Sequence, residues 1–307
     1  MEQTTKSILM IEPVAFGFNA ETAVNNYFQN NTGDVQNKAL AEFKGMVKKL
    51  EANGVEVIVV KDTLKPHTPD SIFPNNWISF HENGTVGLYP MFAINRRNER
   101  REDVFDILEE KGFILDEIID YTEAEDENIF LEGTGSIILD RVNRIAYAAI
   151  SPRTDEELFI EFCEDFEYTP IIFHSYQTVN NERMLIYHTN VMMCIADTFA
   201  VICLDSIDDK KEKKNVVETI KNSGKEIISI SEKQMHSFAG NMLQVKGNKG
   251  NILVMSESAY KSLSSEQIQS IEKYCPIVSV DITEIETNGG GSARCMMAEI
   301  FLPKEKI

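Results

Sequence analysis

The sequence predicts an α/β fold of five like units set in a ring that the two ends of the chain close. Three observations support this. Hairpin signals recur along the chain. An amphipathic helical stretch and a further strand follow each hairpin. The terminal segments supply the missing parts of a fifth unit. The repeat spacing is roughly 50–60 residues, in the range of repeated architectures.

The elements can be justified in order. ILMIEP reads as a strand, AEFKGMVKKLEANG as a helix and VEVIVVKD as the next strand. WISFHENGTVGLYP, residues 77–90, sets Asn83-Gly84 between two alternating runs, a strong hairpin signal. SIILDRVNRIAYAAI (136–150), VMMCIADTFAVICL (191–204) and MLQVKGNKGNILVM (242–255) read as three more. Helical stretches cover 98–111, 154–165, 210–222 and 264–274, and Ser264 with Gln267 has a capping-box pattern. The strands FILDEIID, TPIIFHSY, KEIISIS and PIVSVD come after them. RCMMAEIFL is then left to pair with ILMIEP, and a closed ring leaves few exposed sheet edges. No linker or low-complexity tract interrupts the chain, so residues 1–307 are expected to form one α/β domain.

Composition narrows the function. The 307 residues are 43% hydrophobic and 26% charged, ordinary for a globular protein. Lys+Arg 30 against Asp+Glu 49 gives 30 − 49 = −19, which argues against nucleic acid and anionic membrane as partners. It leaves room for a local basic pocket. Cys163, Cys194, Cys203, Cys275 and Cys295 are scattered and form no CxxC pair, so neither a disulfide framework nor a zinc site is expected. The first residues lack a signal peptide's charged start and long apolar core, and no run is long enough to span a bilayer. A reducing cytoplasm is the expected compartment. KKEKK, 210–214, reads as a solvated helix start.

Chemistry-bearing residues collect just before the first strand of each hairpin. The five segments are FPNNW (73–77), FLEGTGS (130–136), YHTN (187–190), HSFAGN (236–241) and GGGSARC (289–295). Equivalent loops of a ring converge at one end of its axis. Asn76, Glu132, His188, Asn241 and Cys295 are therefore expected to face one another. A Cys, a His and a Glu in one pocket form a nucleophilic set. The thiolate attacks, the imidazole moves the proton, and the carboxylate orients the imidazole or holds a cationic substrate. The bland alternative for Cys295 is a buried structural thiol, and the other four cysteines are read that way. His236 is a secondary candidate for the axis; His81 and His174 are placed within strands. No HExxH or clustered histidine points to a metal.

Taken together, FPNN, LEG, HTN and the C-terminal GGG-x-x-R-C resemble the guanidine-modifying superfamily of arginine deiminases, dimethylarginine hydrolases, succinylarginine dihydrolases and amidinotransferases. The resemblance covers nearly the whole chain and is closest to the bacterial amidinotransferase-like or citrulline-utilisation hydrolase type. It implies a five-bladed α/β propeller, the pentein fold. It makes Cys295 the nucleophile, His188 the general acid/base and Glu132 the acidic partner. Ser151 to Thr154 resembles the family's Ser-x-Arg-Thr element, whose arginine, here Arg153, binds the substrate α-carboxylate. A second such arginine follows a Pro-Met element. PMFAINRR offers Arg96 or Arg97, with Arg97 taken as the candidate. Asn75, Asn76, Asn190 and Asn241 complete the expected substrate contacts.

The departures from the family pattern are informative. Deiminases carry acids where this chain has Asn76, Asn190 and Gly135. A site short of acids is less committed to a guanidinium, because an asparagine also suits a neutral ureido group. Citrulline is therefore expected to compete better here than in a typical arginine deiminase. The reading is a cofactor-free hydrolase acting on the guanidino or ureido carbon of an arginine-like small amino acid through a covalent thiouronium-type intermediate. The alternatives are an amidinotransferase, which passes the amidino group to an amine, and a non-catalytic binding protein on the same scaffold. A homo-oligomer is compatible with the sequence.

Overall fold

The computed structural model describes residues 2–33 and 35–305. It is a mixed α/β structure with five three-stranded sheets of the same design. In each sheet the first two strands are antiparallel and the third is parallel to the second. Ile78–Phe80, Thr85–Leu88 and Glu117–Asp120 form one. Ile137–Asp140, Ile145–Ala149 and Thr169–Phe173 form the next. Met193–Ile195, Phe199–Ile202 and Glu226–Ser229 follow, then Leu243–Gly247, Gly250–Ser256 and Ile277–Val280. The fifth joins the ends of the chain: Ala298–Ile300 lies antiparallel to Ser7–Glu12, with Leu9 opposite Ala298, and Glu56–Lys61 runs parallel beside it.

A parallel pair needs a crossover, and each unit supplies a helix for it. These are α1 (Gln36–Ala52), α2 (Asp103–Glu110), α3 (Glu156–Asp165), α4 (Lys210–Asn222) and α5 (Ser265–Glu272). Helix α1 buries Ala39, Phe43, Met46 and Leu50. That spacing is a single apolar stripe, and each large side chain buried there contributes about 1.5–3 kcal/mol. Helices α3 and α4 are capped by Asp155 and Asp209, and α5 has the expected Ser264/Gln267 capping box. The lysines of KKEKK make the exposed first turn of α4.

Burial grades across each sheet. First strands such as Ile78–Phe80, Ile137–Asp140 and Met193–Ile195 are wholly buried, whereas the third strands Glu117–Asp120 and Glu226–Ser229 are largely exposed. First strands also touch across units: Ala298–Ile300 packs on Ile78–Phe80, and Met193–Ile195 on both Ile137–Asp140 and Leu243–Gly247. The residues that enter these first strands are thus held at the inside of the molecule.

The structure departs from the expected elements in four places. Helix α2 starts at Asp103 rather than near 98, because 94–99 form a 3-10 turn that sends Arg96 and Glu99 inward. TPIIFHSY is not one strand. It stops at Phe173, and Tyr176–Val179 pairs with Glu182–Leu185 in a separate two-stranded arm. Asn180 and Asn181 turn that arm, both at positive φ (51° and 66°), the geometry of a tight hairpin turn. Short helices at Glu257–Ser262 and Thr283–Gly289 add to the expected set. His81 and His174 each lie one residue past a strand, not within it. Among the described residues no helix is long and apolar enough to cross a membrane.

Candidate active site

Short turns deliver the site residues to the first strands. Pro74–Asn76 and Thr189–Val191 are 3-10 turns, and Gly133–Ser136 is a single helical turn. The glycine run before Cys295 has a local cause. Gly290 ends the helix Thr283–Gly289 in the left-handed region at φ 64°, where a side chain is strained. Gly291 meets the Phe73 ring: a Cβ there would lie 2.9 Å from two ring carbons and 3.3 Å from the Cys295 Cβ. Gly291→Ala is therefore expected to destabilise the fold by about 1–3 kcal/mol through overpacking, read as a lowered thermal midpoint; an unchanged midpoint would show that Phe73 has room to move.

Cys295 and His188 line one cavity, together with Asp70, Phe73, Asn76, Arg96, Arg153 and Tyr187. It is small, about 10 Å3, room for roughly one water. The thiol is 3% exposed. Its Sγ receives N–H groups from Asn241 Nδ2 at 3.2 Å and Asn190 Nδ2 at 3.4 Å, which suits an anionic sulfur. His188 Nε2 lies 2.7 Å from Glu132 Oε2, and the other carboxylate oxygen accepts the Phe92 backbone N–H at 2.9 Å.

Electrostatics fix the charge states of this pair. Burial alone would raise the Glu132 carboxyl, but Arg153, the His188 hydrogen bond and Arg96 outweigh it and hold it at about 2. Burial lowers the His188 imidazole to about 4 against the opposing pull of Glu132. At neutral pH the pair is a carboxylate beside a neutral imidazole, the arrangement of a base waiting for a proton. Burial pushes the Cys163 and Cys194 thiols up to about 12.

Cys295, His188, Glu132, Asn76, Asn190, Asn241 and Arg153 are brought together, whereas Arg97, Asn75 and His236 do not line the cavity. Arg97 points away: its Nε bonds the Met91 carbonyl and lies 3.4 Å from Glu125, with the side chain 26% exposed. Arg96 is the buried one. It grips Glu99 through two nitrogens, at 2.9 and 2.8 Å, and donates to Asn76 Oδ1 at 2.8 Å. The 3-10 turn decides this, since consecutive residues there face different ways. Asn75 is buried next to the cavity without lining it; its carbonyl accepts from Thr134. Asn241 holds the thiol from behind and is outside the cavity wall. The secondary candidate His236 is exposed and lies edge-on to Phe28.

Arg153 does face the cavity, buried to 1% and 3.5 Å from Glu132. Its donors are occupied by residues that no strand or helix pattern marked, Asn25 Oδ1 at 2.9 Å and the Thr22 carbonyl at 2.8 Å. These belong to a strap from Gly17 to Gly33 that covers the site. Asn26 and Gln29 donate to the Gly290 and Gly289 carbonyls.

The expectation of a site short of acids is overturned by Asp70. It is buried and lines the cavity. One oxygen accepts from Asn19 at 2.8 Å and Thr22 at 3.1 Å, while the other has no partner. Burial raises this carboxyl in spite of Arg96, Asn19 and Thr22. Asn76 Nδ2 and Asn190 Oδ1 are likewise buried without partners. Of these three residues Asp70 and Asn76 line the cavity, with a carboxylate oxygen and an amide N–H that have no partner in the protein. Among the described residues no group of three His, Cys, Asp or Glu gathers as a metal site.

Solved structures of similar fold include apo ArgZ, an arginine dihydrolase from the ornithine–ammonia cycle in cyanobacteria. Its TM-score is 0.73 at 18% identity, over 97% of this chain and 41% of that one. The chain therefore spans about two fifths of full-length ArgZ. An asparagine-to-serine variant of the ArgZ N-terminal domain, covalently bound to a reaction intermediate, matches with TM-score 0.71 and 19% identity over 97% and 99% of the two chains. A dimethylarginine dimethylaminohydrolase variant, as its adduct with S-methyl-L-thiocitrulline, matches with 0.65 and 14% over 97% and 100%. At these identities the likeness is one of fold. No curated protein sequence matches the chain. The family described as N,N dimethylarginine dimethylhydrolase, eukaryotic, matches residues 12–302. With nearly the whole sequence inside that match, the chain belongs to the N,N-dimethylarginine dimethylhydrolase family of the guanidine-modifying pentein superfamily.

Proposed function

We propose that the protein is a cysteine-dependent hydrolase that attacks the guanidino or ureido carbon of a small arginine-like amino acid. The observation behind this is one cavity lined by Cys295 and His188, with the Glu132 carboxylate fixed behind the imidazole. The Cys295 thiol loses its proton to neutral His188, and the sulfur adds to the planar carbon. His188, protonated beside the Glu132 carboxylate, gives its proton to the departing nitrogen, which leaves as an amine or ammonia. A thiouronium remains on sulfur. A water then loses its proton to His188 and its oxygen adds to the carbon; the S–C bond breaks and the thiolate returns. Asn190 and Asn241 stabilise the sulfur anion through their N–H groups. Asn76 has its oxygen held by Arg96 and so presents an N–H to the head group.

Arg153 anchors the α-carboxylate in this reading, which requires the strap residues Asn25 and Thr22 to release it. A cavity of about 10 Å3 also requires the strap to lift before an amino acid enters. Asp70 supplies the charge complement of a cationic substrate group. Asp70→Asn is expected to lower kcat/KM for arginine-like cations by about 10–100-fold, the worth of one charge-assisted hydrogen bond; equal loss with a neutral ureido compound lacking an α-amino group would contradict that role.

The five equivalent sheets and the pairing of Ser7–Leu9 with Ala298–Ile300 support a closed five-bladed propeller in one domain over 1–307. Five unpaired, buried cysteines support a reducing cytoplasm. The decisive experiment supplies arginine, dimethylarginine and citrulline, with and without glycine as acceptor. Ammonia, dimethylamine, citrulline and ornithine are measured. Release of an amine or ammonia without glycine supports the hydrolase. Turnover only with glycine would replace it by an amidinotransferase, and no turnover of any compound would leave the binding-protein reading.

A further inference from the structure

A second cavity, of about 280 Å3, lies at the opposite ends of the same hairpins. The candidate active site sits on turns that enter first strands, at Asn76 and at Gly133–Ser136. This cavity is bounded by the turns that leave them, at His81–Asn83 and at Arg141–Arg144. From residue 76 to residue 81 is five residues of near-extended chain, roughly 15 Å. The two sites are separate.

Arg141 dominates its wall. The residue is 3% exposed, and its guanidinium stacks on Phe301 at 3.9 Å. Among the described residues its one hydrogen bond is from its backbone N–H to Gln3, and its side chain has no carboxylate partner. A guanidinium without a protein partner is conspicuous in a chain of net charge −19. Tyr168, also on the wall, has a buried hydroxyl without a partner. Arg144 adds a second positive charge, partly neutralised by Glu167 at 3.2 Å. His81, stacked on Phe166 at 3.9 Å, is held well below its ordinary value by burial and then by Arg141 and Arg144. It therefore forms a neutral aromatic wall beside Arg141.

We propose that this cavity binds a singly charged organic carboxylate, with Arg141 as its anchor. The guanidinium fork matches a carboxylate in two-pronged geometry. Phe301, Phe166 and His81 take the apolar body. Glu82, Asp165 and Glu167 at the mouth work against a dianion such as phosphate.

Isothermal titration of the full chain with benzoate, and separately with inorganic phosphate, tests this. One saturable benzoate site is expected, with phosphate at least tenfold weaker. Arg141→Met weakens benzoate at least tenfold, whereas Arg153→Met, in the other cavity, leaves it unchanged. Should Arg141→Met lose its cooperative melting, Arg141→Lys decides: it keeps the charge without the fork and weakens benzoate at least threefold. Absence of saturable benzoate binding, binding indifferent to Arg141, or phosphate binding as tight as benzoate would overturn the assignment.

Discussion

Cys295→Ser is expected to reduce turnover of the preferred guanidino or ureido substrate by at least about 10^4-fold, since a nucleophile removed from a covalent mechanism takes most of the catalysis with it. The fold should hardly change. The thiol sits at the end of a turn, fixed by the Cys295 N–H to Ser292 and by two asparagine amides, all of which a serine hydroxyl can keep. A thiol-reactive amidine adds a second readout. It should modify Cys295 alone, because Cys295 is the cysteine that lines the cavity and burial raises the Cys163, Cys194, Cys203 and Cys275 thiols. Mass analysis of the labelled peptides checks the site. Full turnover in the serine variant, or equal labelling of the other cysteines, would remove the covalent mechanism.

The second large effect belongs to Glu132. Glu132→Gln keeps the shape of the side chain but removes the charge that stabilises a protonated His188 at 2.7 Å. A fall in kcat of about 10²–10⁴-fold is expected, the usual worth of general acid/base catalysis. The pH dependence of stability gives an independent check. Both groups are depressed in the folded state, Glu132 to about 2 from 4.5 and His188 to about 4 from 6.5. A depressed group contributes stability that is full above its unfolded value and lost as pH falls toward its folded value. The His188 contribution is therefore lost between about pH 6.5 and 4, and that of Glu132 between about 4.5 and 2. Urea midpoints in the glutamine variant should lack the lower window. A wild-type-like kcat together with an unchanged acid profile would show that the carboxylate has no part in either.

Much of this was legible in residue order. Hairpins announce themselves by turn residues between alternating runs, and each entering loop carries one chemical side chain, so Cys295, His188 and Glu132 followed from position within a repeat. The hidden parts share a cause. Arg96 and Arg97 are adjacent, and only the local turn decides which faces inward. Asp70 stands six residues before Asn76 in a loop with no periodicity, and its place depends on contacts with Asn19, Thr22 and Arg96 from elsewhere in the chain. The strap was more open to reading. Residues 17–33 are bracketed by glycines, hold five asparagines and fit no helix or strand, and a structureless stretch of that length in a compact unit is commonly functional. The two-stranded arm also had its signal, in Asn180-Asn181 between TV and ERML.

The pairing of Ser7 with Ile300 has a bearing on how the site is assembled. The Cys295 sulfur stands five residues ahead of Ile300, so the contact that seats it joins segments 300 − 7 = 293 residues apart. Loop closure over such a span is entropically demanding and slow. The turn that carries Cys295 is thus tied to the pairing of the most distant segments, so clipping either strand is expected to unseat the thiol.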